Sequence, residues 1–259
     1  MCKVFAFHGA ERKVGVTMIA QSIAEKIAND CEQFQVLLLV LNGRANEQYF
    51  DKEVKSIDEY KLQLESKLLN EKDFARDCRY KGNLHVLVGP RDEFEYRYYF
   101  PEEVTYLIEC VKSEFDVIIV DTGDSIDCGL AVGGLTYSEH RYMVASQDET
   151  SLVRYENLHR LYEQMGYDFD YIVINKYLSQ DVYSKNYIGE RIGYNKEQLL
   201  ILENSNKGKQ AERGKKSLYE LHDEVWCKGL EPIVQEVLRL CGVNGIAKQR
   251  KNKVWKSFI

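Results

Sequence analysis

Val4-Phe5-Ala6-Phe7-His8-Gly9-Ala10-Glu11-Arg12-Lys13-Val14-Gly15-Val16-Thr17-Met18 runs from an apolar strand pattern through a glycine-bearing loop into a helical one. The four residues Val4 to Phe7 form a short unbroken apolar run, as a strand buried on both faces does. From Met18 to Ala28, the residues Ile19, Ala20, Ile23, Ala24, Ile27 and Ala28 recur on one helical face. The intervening loop has the place of a phosphate cradle, in which glycine-bearing backbone amides and the dipole of the following helix meet an anion. Gly15 and Thr17 stand where such a loop carries its last glycine and its magnesium-binding hydroxyl, but Val16 stands where its lysine belongs. The pattern G-x-x-x-x-G-K-[ST] is therefore not matched. Two readings stay open at this point: a phosphate site that Lys13 helps to serve, or an ordinary strand-to-helix turn with Gly15 near the cap and Lys13 in solvent.

Working outward, the same style repeats. Strands are expected at 36–41, 84–88, 117–120, 142–145, 171–174 and 199–202, with helices over 102–112, 151–165 and most of 217–240. Apolar strands alternating with helices predict an α/β fold: a doubly wound, mostly parallel sheet with helices on both faces. Ligands in such sheets sit beyond the C-terminal strand ends, which directs attention to the residues just after positions 7, 41, 120 and 174. Asp121-Thr122-Gly123-Asp124 closes one of these strands and reads either as a water-mediated magnesium contact or as a plain Asp-Thr-Gly turn.

With 259 residues, 44% of them hydrophobic and 29% charged, the chain has ample material for a core. Three prolines and 17 glycines form no linker, and the reading is one domain over 1–242 with a tail over 243–259. The longest apolar run, Val36 to Leu41, is far short of the ~20 residues of a membrane span, and no secretory leader is visible at the N-terminus. Seven cysteines without a Cys-x-x-Cys pair suit reduced thiols of a cytoplasmic protein. The net charge is −6, and five of the 35 basic residues fall within 248–259, leaving 30 against 41 acidic residues elsewhere. So acidic a body disfavours broad nucleic-acid binding.

The whole chain, over about residues 3–240, resembles the ParA/MinD family of P-loop ATPases, and most closely its TadZ/CpaE pilus-assembly branch. Glu11-Arg12-Lys13-Val14-Gly15-Val16-Thr17-Met18 aligns with the family's K-G-G-x-G-K-T-T, and Ile19 to Ala24 with the helix that follows it. Phe115 to Gly123 (FDVIIVDTG) resembles the family's Walker-B-like strand, and Leu84 to Pro90 the L-x-V-L-x-G-P segment of the pilus branch. Val173-Ile174-Asn175-Lys176 and Gln210 to Lys215 resemble two later elements. The resemblance implies ATP and Mg2+ as cofactors, bound by Lys13, Val14, Gly15, Val16, Thr17, Met18, Asn42, Asp121 and Asn175, with Thr17 and Asp121 on the metal and Asn175 at the purine. An Asn175 that merely caps its strand is the alternative. It further implies a homodimer and protein partners in a pilus or secretion assembly, in the cytoplasm or peripheral at the inner membrane or a cell pole.

The departures fall on charged positions. The family's signature lysine aligns with Glu11, its loop lysine with Val16, and its strand-two aspartate with Asn42. Phosphoryl transfer rests on placed charge, and one lost group of this kind costs about 10²–10³-fold. A degenerate ATPase with no catalytic residue is expected, one that either binds nucleotide without efficient turnover or no longer binds it. Alternatives are an active Mg-dependent ATPase rebuilt around Lys13 or Arg12, a DNA-partitioning protein, and a metal-cluster reductase relative that would need a second cysteine near Cys128. Leu178 stands where a guanine-binding carboxylate belongs, which disfavours GTP.

Two further stretches are distinctive. Five aromatics lie between Phe94 and Phe100, either as a partner patch or as a cover over the core. The tail 248–259 mixes lysines with Trp255, Phe258 and Ile259, as a peripheral membrane or partner contact does, or a loose terminus. Of five scattered histidines, only His8 falls near the expected site, as a lining group or as a hydrogen-bonded loop residue.

Overall fold

The computed structural model describes residues 2–92 and 94–243. In chain order these form β1 (Lys3–Gly9), α1 (Val16–Asp30), β2 (Val36–Val40), β3 (Lys55–Ser56), α2 (Lys61–Glu65), α3 (Glu71–Asp77), β4 (Arg79–Lys81), β5 (Leu84–Val88), α4 (Pro101–Val111), β6 (Val117–Asp121), α5 (Gly129–Tyr137), β7 (His140–Ser146), α6 (Glu149–Gln164), β8 (Tyr171–Tyr177), α7 (Lys185–Ile192), β9 (Leu199–Glu203), α8 (Gly208–Arg213) and α9 (Glu224–Leu240). Among the described residues the strands lie in the order β3-β5-β2-β6-β1-β7-β8-β9, all parallel, with β4 antiparallel to the start of β5.

Every residue of β2, β5 and β6 is buried, because helices cover both faces of the sheet. Side chains alternate between the faces. Phe5 and Phe7 share one core with Ile19 and Ile23 of α1 and Ile233 and Val237 of α9. Val4 and Ala6 share the other with Leu107 of α4, Leu130 of α5 and Leu152 of α6. The α/β doubly wound architecture expected from the sequence is the one observed.

Helix α9 begins later than periodicity suggested. The Asp223 carboxylate accepts from the Trp226 amide at 2.9 Å and caps it there, so 217–223 are turns. Helix α5 (GLAVGGLTY) lacks a polar face to read. Its Gly133 lies so close to α4 that a Cβ would come within 2.6 Å of the Pro101 carbonyl oxygen and Val104. The aromatic stretch divides between core and surface. Tyr99 is buried and donates to Asp58 at 2.7 Å, while the rings of Phe94, Tyr98 and Phe100 are over 60% exposed. The basic tail at 248–259 lies outside the described residues. No helix among the described residues is long and apolar enough to cross a membrane.

Strand β1 lies between β6 and β7, and the chain crosses from β1 to β2 on one side before returning to β7 on the other. The C-terminal ends of β1, β2, β6, β8 and β9 therefore meet at one edge, around a topological switch point.

Candidate functional site

The loop after β1 is fastened at its start. The Gly9 amide donates to the Gly123 carbonyl at 2.6 Å and the Ala10 amide to that of Val144 at 2.8 Å. Beyond that the loop is held from β8. Lys176 Nζ donates to the Lys13 carbonyl and Asn175 Nδ2 to the Val14 carbonyl, both at 2.7 Å. Lys13 (φ 63°) and Gly15 (φ 98°) take left-handed backbone conformations. Gly15 must be glycine twice over, since a Cβ there would sit 2.4 Å from Asn175 Nδ2. With the Lys13 and Val14 carbonyls taken by β8, the amides of Val16, Thr17 and Met18 open α1 with no intrahelical acceptor and no side-chain cap. A run of free amides at a helix N-terminus is an anion site.

Below the loop lies a polar triangle. The Thr17 hydroxyl donates to Asp121 Oδ2 at 2.5 Å, and Asn42 Nδ2 donates to the same oxygen at 3.0 Å and lies 3.3 Å from Thr17 Oγ1. The Gly123 amide donates to Asp121 Oδ1 at 2.9 Å. Burial pushes the Asp121 carboxyl above its usual range, while the bonds from Thr17, Gly123 and Asn42 pull it back.

Loop and triangle open into a cleft of 880 Å³, within the range of ligand pockets. Of the residues singled out in the sequence, Lys13, Val14, Gly15, Val16, Thr17 and Met18 line it, as do Asn42 and Asn175, with Asp121 wholly buried behind Thr17 and Asn42. The Asn175 amide is spent on the loop, with Nδ2 on Val14 and Oδ1 on the Lys176 amide at 2.8 Å. Val16 is buried with Phe7 and offers no charge. Glu11 lines the cleft, and Arg12 does not. Lys13 and Lys209 line it with no carboxylate partner among the described residues.

The far wall escaped sequence reading. Asn204, Ser205, Asn206, Lys209 and Glu212 come from the β9–α8 turn and α8, and Leu218 and Trp226 supply apolar surface. The strand-end rule, extended to 202, would have found the first of these. His8 faces the opposite layer. Its ring nitrogens meet Thr122 Oγ1 at 3.0 Å and the Tyr162 hydroxyl at 3.2 Å, and burial pulls its pKa down to about 3, so it is neutral.

Similar architecture occurs in solved proteins. A ParA family ATPase from Chlorobium tepidum TLS superposes with a TM-score of 0.77 at 20% identity, over 92% of this chain and 98% of its own. The fold is that of the ParA/MinD ATPases. The septum site-determining protein MinD of Pyrococcus horikoshii, complexed with Mg-ADP, gives 0.74 at 13% identity over 96% and 100%. The MinC:MinD cell division complex of Aquifex aeolicus gives 0.70 at 17% over 94% and 97%. No protein-family model and no curated protein matches the sequence.

The ParA/MinD fold brings nucleotide and magnesium into question, and the donor set can be tested against both. The amides that open α1 suit phosphate oxygens. The Thr17 hydroxyl and Asp121 carboxylate are oxygen donors of the kind magnesium takes. The Asn42 side chain, which presents N–H to the same point, is not.

Proposed function

We propose that this chain binds ATP in the cleft above Thr17 without efficient turnover, and acts as a spatial organiser through partner proteins. The observation that carries this is the loop itself, with the Lys13 and Val14 carbonyls tied to β8, the amides that open α1 uncapped, and no lysine at position 16. Binding groups are present, while the charges that phosphoryl transfer needs are replaced by Glu11, Val16 and Asn42. Structures of this fold include one with Mg-ADP and one in complex with MinC, which supports nucleotide and protein partners here. The finer reading is a TadZ/CpaE-like scaffold: a homodimer serving a pilus or secretion assembly from the cytoplasm, with 248–259 as its peripheral contact to the inner membrane or a cell pole. The acidic body weighs against DNA partitioning.

Calorimetry of the full chain with Mg-ATP, and Mg-GTP as control, tests the binding. Micromolar affinity for ATP alone is expected, and no heat at millimolar ATP overturns it. Phosphate release tests the turnover. A rate of about 1 per minute or faster, far below ordinary enzymes, overturns the inactive reading in favour of an ATPase rebuilt around Lys13, which lines the cleft. Loss of that rate in Lys13→Ala would assign it.

A further inference from the structure

We infer that the side-chain amide of Asn42 takes the place of a cation between Thr17 and Asp121, so that the cleft binds a nucleoside triphosphate without needing a divalent metal. This rests on the nucleotide reading above. Asn42 Nδ2 is 3.0 Å from Asp121 Oδ2 and 3.3 Å from Thr17 Oγ1. Its orientation is fixed from behind. Asn42 Oδ1 accepts from the Arg44 amide at 3.1 Å and from Asn46 Nδ2 at 2.8 Å, and Asn46 is itself buried and tied to the Arg44 carbonyl at 2.7 Å. Turning the amide over would set oxygen against the Asp121 carboxylate and N–H against two donors, losing every one of these bonds.

The carboxylate is thus satisfied by protein alone. Oδ2 takes Thr17 and Asn42, and Oδ1 takes the Gly123 amide. Magnesium wants six oxygens in octahedral array at about 2.0–2.1 Å. Here it would find one carboxylate, one hydroxyl and an amide presenting hydrogen to the same point. The backbone of Gly123 packs on Asn42, where a Cβ at position 123 would lie 2.7 Å from that of Asn42, so the side chain has little room to withdraw. The phosphates would then be met by the loop amides and by Lys13 and Lys209, with any metal carried by the nucleotide alone.

The test is ATP affinity of the wild-type full chain by calorimetry in EDTA and in MgCl2, with thermal melts of wild type and Asn42→Asp in the same buffers without nucleotide. Affinities equal within about threefold in the two buffers support the inference. Binding at least about tenfold weaker in EDTA overturns it and leaves the nucleotide reading standing. If ATP binds in neither buffer, the nucleotide reading fails by itself, and the melts decide on Asn42. Asn42→Asp sets two carboxylates together, which repel. A lower melting temperature in EDTA that MgCl2 restores, with no such response in wild type, supports the amide in the cation's place. Equal magnesium responses in the two proteins overturn it. Should Asn42→Asp fail to fold, Asn42→Ala replaces it, with a magnesium-independent loss of melting temperature expected and a magnesium-restored one overturning the inference.

Discussion

Asn175 and Val14 lie 161 positions apart, and the amide of the first donates to the carbonyl of the second at 2.7 Å. The end of β8 therefore shapes the loop after β1. Asn175→Ala leaves the Val14 carbonyl without its partner in a buried setting, which costs about 1–3 kcal/mol. Urea unfolding should show that loss, and calorimetry a roughly tenfold weaker ATP affinity. Unchanged affinity would mean that the loop keeps its form without β8.

Gly15 offers a sharper probe of the same junction. Gly15→Ala carries two penalties, a left-handed φ of 98° and a Cβ 2.4 Å from Asn175 Nδ2. In a double-mutant cycle the second penalty should vanish on the Asn175→Ala background while the first remains. A coupling of about 0.5–3 kcal/mol is expected, and strict additivity would show that the two side chains do not compete for space.

Lys176 places an exposed ammonium on the Lys13 carbonyl at 2.7 Å. Lys176→Ala should leave global stability within about 0.5 kcal/mol, as exposed substitutions do. ATP binding should weaken several-fold, because the clamp would act on loop form rather than on the core. A large fall in unfolding midpoint with intact ATP affinity would reverse that assignment.

How much of this was legible follows from where the information sits. The fully buried runs Val36–Val40 and Val117–Asp121 announce a covered parallel sheet, because no other setting tolerates them. Their direct parallel pairing as β2 and β6 is a matter of long-range contact that no local pattern records. Helix α5 was missed because its glycines answer to buried neighbours, Gly133 to α4 and Gly134 to Val120 of β6, and not to a solvent face. Thr17, Asn42 and Asp121 were expected together and lie within hydrogen-bonding distance of one another. The grip of Asn175 on the loop was not foreseen, since it depends on which way the Val14 carbonyl turns. Asn204 to Asn206 read as any polar turn until the β9 end is seen to border the cleft.

Val16 allows a gain to be sought. Its side chain is buried beside Phe7 and against Gly9, where a Cβ would lie 2.9 Å from Val16 Cγ2. Val16→Lys removes that packing and should lower the melting temperature of the free protein, by the equivalent of about 1–3 kcal/mol. If the amides that open α1 are a phosphate site, the new ammonium should strengthen ATP binding about tenfold or more, so that ATP restores the lost melting temperature. Lower stability with no gain in ATP affinity would place the phosphates elsewhere.

Glu25 supplies the pH dependence. It lies on α1 one turn beyond Gln21, which lines the cleft. Its carboxylate accepts from the Ser217 hydroxyl and, at 3.0 Å, from Gln21 Nε2. Burial pushes its pKa from 4.5 to about 7. The bonds from Ser217 and Gln21 oppose that rise, Glu220 adds to it, and Lys81 works against it. The folded state thus holds a proton that the unfolded chain gives up more readily. Its contribution to stability is complete below about pH 4.5, is lost as pH rises to about 7, and stays lost above. Glu25→Gln keeps the bond from Gln21, reverses the one to Ser217 so that the amide donates to the hydroxyl oxygen, and cannot ionise. At the linkage value of about 1.36 kcal/mol per pKa unit, reduced for the partial exposure of the residue, the variant should gain about 1–3 kcal/mol over wild type between about pH 5 and about pH 8. Urea midpoints at the two values measure it, and parallel pH profiles for the two proteins would show that Glu25 is ionised in the folded state throughout.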